Sequence, residues 1–192
     1  MGRLVLIRHG ESEGNRERRF TRTPDVPLTD LGRAQVRRAA DWIAAGFAPV
    51  RVVSSPFARA RETAAILAGV LRLPVVVEED LRERSYGQLA GEPYEAAREL
   101  RGDEPIAYWE WCPPGGETLV AVSTRAGAAL DRVANGAPAD DLVVVSHGAV
   151  MHALWRHVTG EWPTRKVVAN AGIVVVEHEA GRYLTARAVE DG

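Results

Sequence analysis

The chain has 192 residues, 46% apolar and 26% charged, with a net charge of −2. That length suits one domain with a sizeable core. The near-neutral balance excludes a general basic field for nucleic acid or acidic membranes, so any anion site must be a local cluster. The single cysteine, Cys112, excludes an internal disulfide and a multi-cysteine metal site. No basic start leads into a long apolar stretch, so neither a signal peptide nor a membrane helix is expected, and the expected compartment is the cytoplasm.

Leu4-Val5-Leu6-Ile7 reads as a buried strand, being continuous, partly β-branched and ended by a turn residue. Arg8 and His9 fall at its carboxyl end, the edge at which open α/β sheets bind ligands. Gly10 lets the backbone turn, and Ser12 and Asn15 add hydrogen-bonding groups. An arginine beside a histidine at such an edge suits an anion, phosphate above all. Arg16 to Arg22 reads as a basic, polar loop. Thr29 is the expected N-cap of a helix whose core face is Val36, Ala40, Ile43 and Phe47 and whose end is Gly46.

Val50 to Ser54 is a second strand. Ser55-Pro56 is expected to start the next helix with a capping hydroxyl and a proline at the first position, which places Arg59 about one turn in. Arg61, two residues on, is expected at the surface. Leu73 to Val77 is a third strand. Glu83 follows, between Arg82 and Arg84, and by itself would read as a surface ion pair. The segment from Glu92 to Pro114 holds Tyr94, Tyr108, Trp109 and Trp111, read as packing a small helical subdomain in preference to touching a ligand.

A helix with a buried stripe of Val122, Ala126, Ala129 and Val133 comes next. Asp141 to Ser146 is the clearest buried strand. It ends in His147-Gly148 and runs into a helix from about Ala149 to Val158, so a second histidine reaches the same sheet edge as His9. His152, His157 and His178 read as surface or packing residues. Ile173–His178 and Tyr183–Arg187 form a terminal hairpin through Ala180-Gly181. The alternation of strand and helix predicts a three-layer α/β/α fold with a mostly parallel central sheet.

Four stretches, in order, carry a resemblance. They are Arg8-His9-Gly10-Glu11-Ser12 with Asn15, then Ser54-Ser55-Pro56-Phe57-Ala58-Arg59, then Leu81-Arg82-Glu83 with Gly87 and Gly91, and finally Ser146-His147-Gly148. Together they resemble the signatures of the histidine phosphatase superfamily, the phosphoglycerate-mutase-like phosphatases. Phe57 stands where the family usually has leucine, and Leu89-Ala90 where many relatives have Trp-Glu. The resemblance implies a single domain over residues 1–192, with 92–114 as an insertion capping the pocket. It implies catalytic roles for Arg8, His9, Arg59, Glu83 and His147, and substrate contacts from Asn15, Phe20, Thr21, Arg22 and Gly148.

The expected chemistry is hydrolysis of a phosphate monoester on a small metabolite, with neutral His9 as nucleophile and a phosphohistidine intermediate. Arg8, Arg59 and His147 would hold the phosphoryl oxygens, and Glu83 would protonate the leaving oxygen. Neighbouring arginines are expected to favour the ionised form of Glu83. No cofactor and no metal is expected, since cationic side chains do that work. The expected partner is a small phosphorylated substrate, with no nucleic acid and no membrane, and a homodimer is compatible with the chain. A cofactor-dependent phosphoglycerate mutase, a phosphohistidine or phosphoprotein phosphatase, and a non-catalytic phospho-ligand binder are the other readings.

Overall fold

Short runs of valine and leucine pair side by side in a computed structural model that describes residues 1–103, 105–179 and 181–189. The strands are β1 (Gly2–Arg8), β2 (Pro49–Ser54), β3 (Val75–Val77), β4 (Asp141–Ser146), β5 (Ile173–Glu179) and β6 (Arg182–Ala188). They lie in the order β3-β2-β4-β1-β5-β6. The first four run parallel, while β5 and β6 are antiparallel to their neighbours. The sheet is therefore mostly parallel, as expected.

The helices are α1 (Glu13–Arg16), α2 (Asp30–Gly46), α3 (Ala58–Leu71), α4 (Tyr94–Arg101), α5 (Leu119–Asn135) and α6 (Gly148–Thr159). Successive side chains of a strand point to opposite faces. Leu4 and Leu6 thus pack with α5 and α6, whereas Val5 and Ile7 pack with α2 and α3. Both faces of β1 are covered, which is why its apolar run is continuous and not alternating. Among the described residues, no helix is long and apolar enough to cross a membrane.

Thr29 caps α2 as expected, its hydroxyl accepting from the Gly32 amide at 3.0 Å. Val122, Ala126, Ala129 and Val133 are all buried on α5. The start of α3 is a correction. The helix begins at Ala58 after Phe57, without a side-chain cap, and Arg59 is its second residue. The Ser55 hydroxyl is instead 2.6 Å from His147 Nε2, just past the end of β4, and also accepts from the Phe57 amide at 3.3 Å, ahead of the helix. The third strand is shorter than expected because Leu73 and Pro74 complete the exit from α3. Ala180, expected in the hairpin turn, lies outside the described residues.

Two glycines bring α2 against the turn that carries His9. A Cβ on Gly32 would stand 2.1 Å from the Glu11 carbonyl oxygen, and one on Gly10 would stand 2.5 Å from that of Gly32. Neither backbone atom can swing aside as a flexible side chain would. Gly32→Ala is expected to cost about 1–3 kcal/mol by overpacking and to lower turnover with it. Thermal melting and phosphate release on the same sample check this.

Candidate active site

Because β1 and β4 are parallel neighbours with Arg8 opposite Ser146, His9 and His147 leave the sheet side by side. Their ring centroids are 5.1 Å apart. His9 Nδ1 lies 2.6 Å from the Gly10 carbonyl oxygen, which can only accept, so the proton sits on Nδ1 and the lone pair on Nε2. Arg59 Nε donates to that Nε2 at 3.1 Å. Thr63 ties the pieces together, its hydroxyl donating to the Arg59 carbonyl at 2.8 Å and accepting from the Gly10 amide at 3.3 Å.

Three buried polar atoms around His9 have no partner: Arg8 Nε, Arg59 Nη1 and His147 Nδ1. Buried polar atoms are normally satisfied, and each one left without a partner is costly. All three belong to residues next to the His9 ring, the grouping an anion cradle needs. Gly148, at the start of α6, lies against the Arg8 guanidinium.

Burial, then Arg59 and Arg8, hold the His9 imidazole well below its ordinary range. Burial, Arg59 and His9 do the same to His147. Both rings are therefore neutral near neutral pH. Burial raises the Glu83 carboxyl above its ordinary value, against Arg59, the Arg84 amide (2.9 Å) and Arg8. The arginines do favour the ionised form, as expected, but desolvation outweighs their attraction and the net shift is upward.

The cavity beside these groups has a volume of about 490 Å³ and is lined by Arg8, His9, Asn15, Phe20, Thr21, Arg59, Glu83 and Gly148 among others. His147 is fully buried beside His9 and is not among the residues that line this cavity. Asn15 Oδ1 accepts from Asn170 Nδ2 at 2.8 Å, and one hydrogen of its Nδ2 goes to the Tyr94 hydroxyl at 3.0 Å, leaving the second for a ligand. Arg22 is a correction: it lies outside the cavity, against Gly91, and Arg19 lines the wall in its place. Arg61 is exposed, as expected.

His152 is a further correction. One turn beyond Gly148 on α6, it lines the cavity, where burial, Arg8 and Lys166 lower its pKa. His157 is a packing residue, with Nε2 2.8 Å from Asp131 Oδ1. The aromatic residues of 92–114 divide. Tyr94, Tyr108 and Trp111 line the cavity, while Trp109 stacks on Trp162 at 5.7 Å.

Three further residues of the site, Tyr86, Lys166 and Asn170, are not among those expected from sequence. Tyr86 lies beside the Glu83 motif and packs on Phe20 at 4.2 Å, a signal that was available. Lys166 lines the cavity from a loop without a motif. Asn170 holds the His9 carbonyl at 3.3 Å from an equally unmarked stretch. Among the described residues, no three His, Cys, Asp or Glu side chains gather as metal ligands would.

Comparison with known proteins places the chain in a family. A family model described as histidine phosphatase superfamily (branch 1) matches residues 4–191. Phosphoglycerate mutase-like protein 4 of Arabidopsis thaliana is 36% identical over 161 residues, covering 79% of this chain and 69% of that protein. The metal-independent phosphoserine phosphatase of the same plant is 31% identical over 182 residues, covering 90% and 75%. Among solved structures, mycobacterial glucosyl-3-phosphoglycerate phosphatase superposes with a TM-score of 0.83 at 28% identity, covering 97% of this chain and 96% of the other.

Proposed function

Because the chain belongs to the histidine phosphatase superfamily, branch 1, and is a phosphatase, we propose that it hydrolyses a small phosphate monoester without a metal, through a phosphohistidine on His9. The observation that carries this is the set of three unpartnered polar atoms of Arg8, Arg59 and His147 gathered around the His9 ring. A monoester brings between one and two negative charges. Arg8 and Arg59 together carry the charge to match a dianion.

The His9 Nε2 lone pair attacks phosphorus, and the bond from phosphorus to the leaving oxygen breaks. Glu83 gives its proton to that oxygen. The resulting carboxylate then takes a proton from water, whose oxygen attacks phosphorus. The P–N bond breaks and its electrons return to His9 Nε2. Arg59 Nε, which holds Nε2 at 3.1 Å beforehand, transfers its bond to the phosphoryl group. The two guanidiniums and the His147 ring stabilise charge on the equatorial oxygens in a partly dry site. Hydrolysis of a panel of phosphorylated metabolites in excess chelator tests the proposal. Release that survives the chelator supports it, and release that needs an added metal overturns it.

The pH profile follows from the two shifted groups. His9 must be neutral, so the rate falls only below its depressed pKa. Glu83 must carry a proton, so the rate falls above its elevated pKa. The expected kcat/KM profile is a bell with its maximum on the acid side of neutral. Ionisation of the substrate itself adds a limb near pH 6, so the decisive comparison is with Glu83→Gln, which should lose the alkaline fall. A wild-type rate that still climbs at alkaline pH would exclude Glu83 as the acid.

A further inference from the structure

Arg125, on α5, reaches the loop that carries Glu83 and touches no atom of the catalytic cradle. Its Nη1 donates to the Asp80 carbonyl at 2.7 Å and the Arg82 carbonyl at 2.9 Å. Its Nη2 donates to the Glu83 carbonyl at 3.2 Å. Nε and Nη2 grip the two carboxylate oxygens of Glu117 at 2.9 Å each. A guanidinium has five N–H donors, and here five acceptors meet it, with the side chain only 12% exposed.

Glu117 closes the loop from the other end. Its Oε2 accepts from the Ser85 amide at 2.8 Å, and its own amide donates to the Ser85 carbonyl at 2.9 Å. Its carbonyl accepts from Arg84 Nε at 2.7 Å. Main-chain groups of residues 80, 82, 83 and 85 are thereby fastened to one ion pair at the start of α5. Nothing else described holds the Glu83 carbonyl. Glu117, in the Gly115-Gly116-Glu117-Thr118 turn that leads into α5, supplies half of this clamp.

We propose that Arg125, paired with Glu117, is a positioning residue that aims the Glu83 carboxyl at the leaving-group oxygen. The proposal rests on Glu83 being the general acid. Lysine at this position keeps the charge but cannot make the bidentate grip together with three carbonyl bonds. Arg125→Lys therefore separates geometry from electrostatics.

The test is kcat/KM for Arg125→Lys across monoesters of rising leaving-group pKa: nitrophenyl phosphate, phenyl phosphate and glycerol phosphate. This constant reports steps through departure of the leaving group. Nitrophenolate leaves without a proton and an alkoxide does not. Misplacement of an acid by a fraction of an ångström should then lower the glycerol phosphate rate by roughly 10- to 100-fold and the nitrophenyl rate by less than about 3-fold. Glu83→Gln should show the same pattern more steeply. In the Glu83→Gln background, Arg125→Lys should add no further leaving-group dependence, because the acid it positions is gone.

An equal loss on all three esters, or an undiminished effect in the double variant, overturns the positioning role. If Glu83→Gln itself leaves the leaving-group dependence unchanged, the acid assignment fails first and the positioning role falls with it. Should Arg125→Lys not fold, Glu117→Gln weakens the same clamp and is read in the same way.

Discussion

His9→Ala is expected to abolish phosphate release, by roughly 10⁴-fold or more, as loss of a nucleophile does elsewhere. The substitution removes the only imidazole nitrogen in the cradle whose lone pair is set up for attack. His9 Nδ1 is committed to the Gly10 carbonyl, and His147 Nε2 to Ser55. Brief reaction of the wild type with labelled substrate and an alkaline quench should trap acid-labile phosphate on His9, and His9→Ala should trap none. Full activity in the variant would remove the covalent step from the mechanism.

Arg59→Met is expected to move activity and stability in opposite directions. Arg59 is 2% exposed, and its guanidinium touches the nucleophile at 3.1 Å and has an unpartnered Nη1. Loss of this donor from the transition state should cost about 3 kcal/mol, on the order of 10²-fold in kcat. In the unliganded protein the same group is a liability. Burial depresses the pKa of both Arg8 and Arg59, and Glu83 is the chief charge opposing that. A methionine stem of similar length removes a cation held out of water with incomplete compensation. The expected gain is about 1–2 kcal/mol, or roughly 3–6 °C in melting temperature for a chain of this size. Inorganic phosphate should raise the melting temperature of the wild type and shift the variant much less. A variant that melts lower than wild type in the absence of phosphate would show that Arg59 is held for stability and not at its expense.

The sheet edge was the legible part of this molecule. Apolar runs that end abruptly in Arg8-His9, Ser54-Ser55 and Ser146-His147 mark strand ends, and a parallel sheet gathers strand ends into one place. The helices were legible where a polar cap and an apolar stripe agreed, as at Thr29 with Val36, Ala40 and Ile43. What misled was competition between partners. Ser55-Pro56 has the composition of a helix start, but the hydroxyl bonds the second histidine and the helix waits until Ala58. His152 looked like a packing residue because helical spacing alone does not say whether the face it shares with Gly148 borders solvent, core or cavity. Glu83 is flanked by arginines in sequence, yet the direction of its shift is set by burial, which no local pattern shows. Lys166, Val168 and Asn170 carry no local pattern at all; they are placed by the turn that leads into β5.

That turn and the order of the strands bear on how the protein comes to be made. The strand that presents His9 is the first in the chain, but its two neighbours in the sheet, β4 and β5, lie at residues 141–146 and 173–179. The Arg8 amide and the His9 carbonyl are held by Gly172 and Ala171. During synthesis an apolar segment therefore emerges more than a hundred residues before anything can pair with it. Such non-local pairing is slow and leaves edges open to wrong partners. α2 and α3 can assemble early on one another, but the catalytic histidine is seated only when chain beyond residue 173 has been added. A ribosome stalled short of that point would carry the whole Arg-His-Gly signature and no phosphatase.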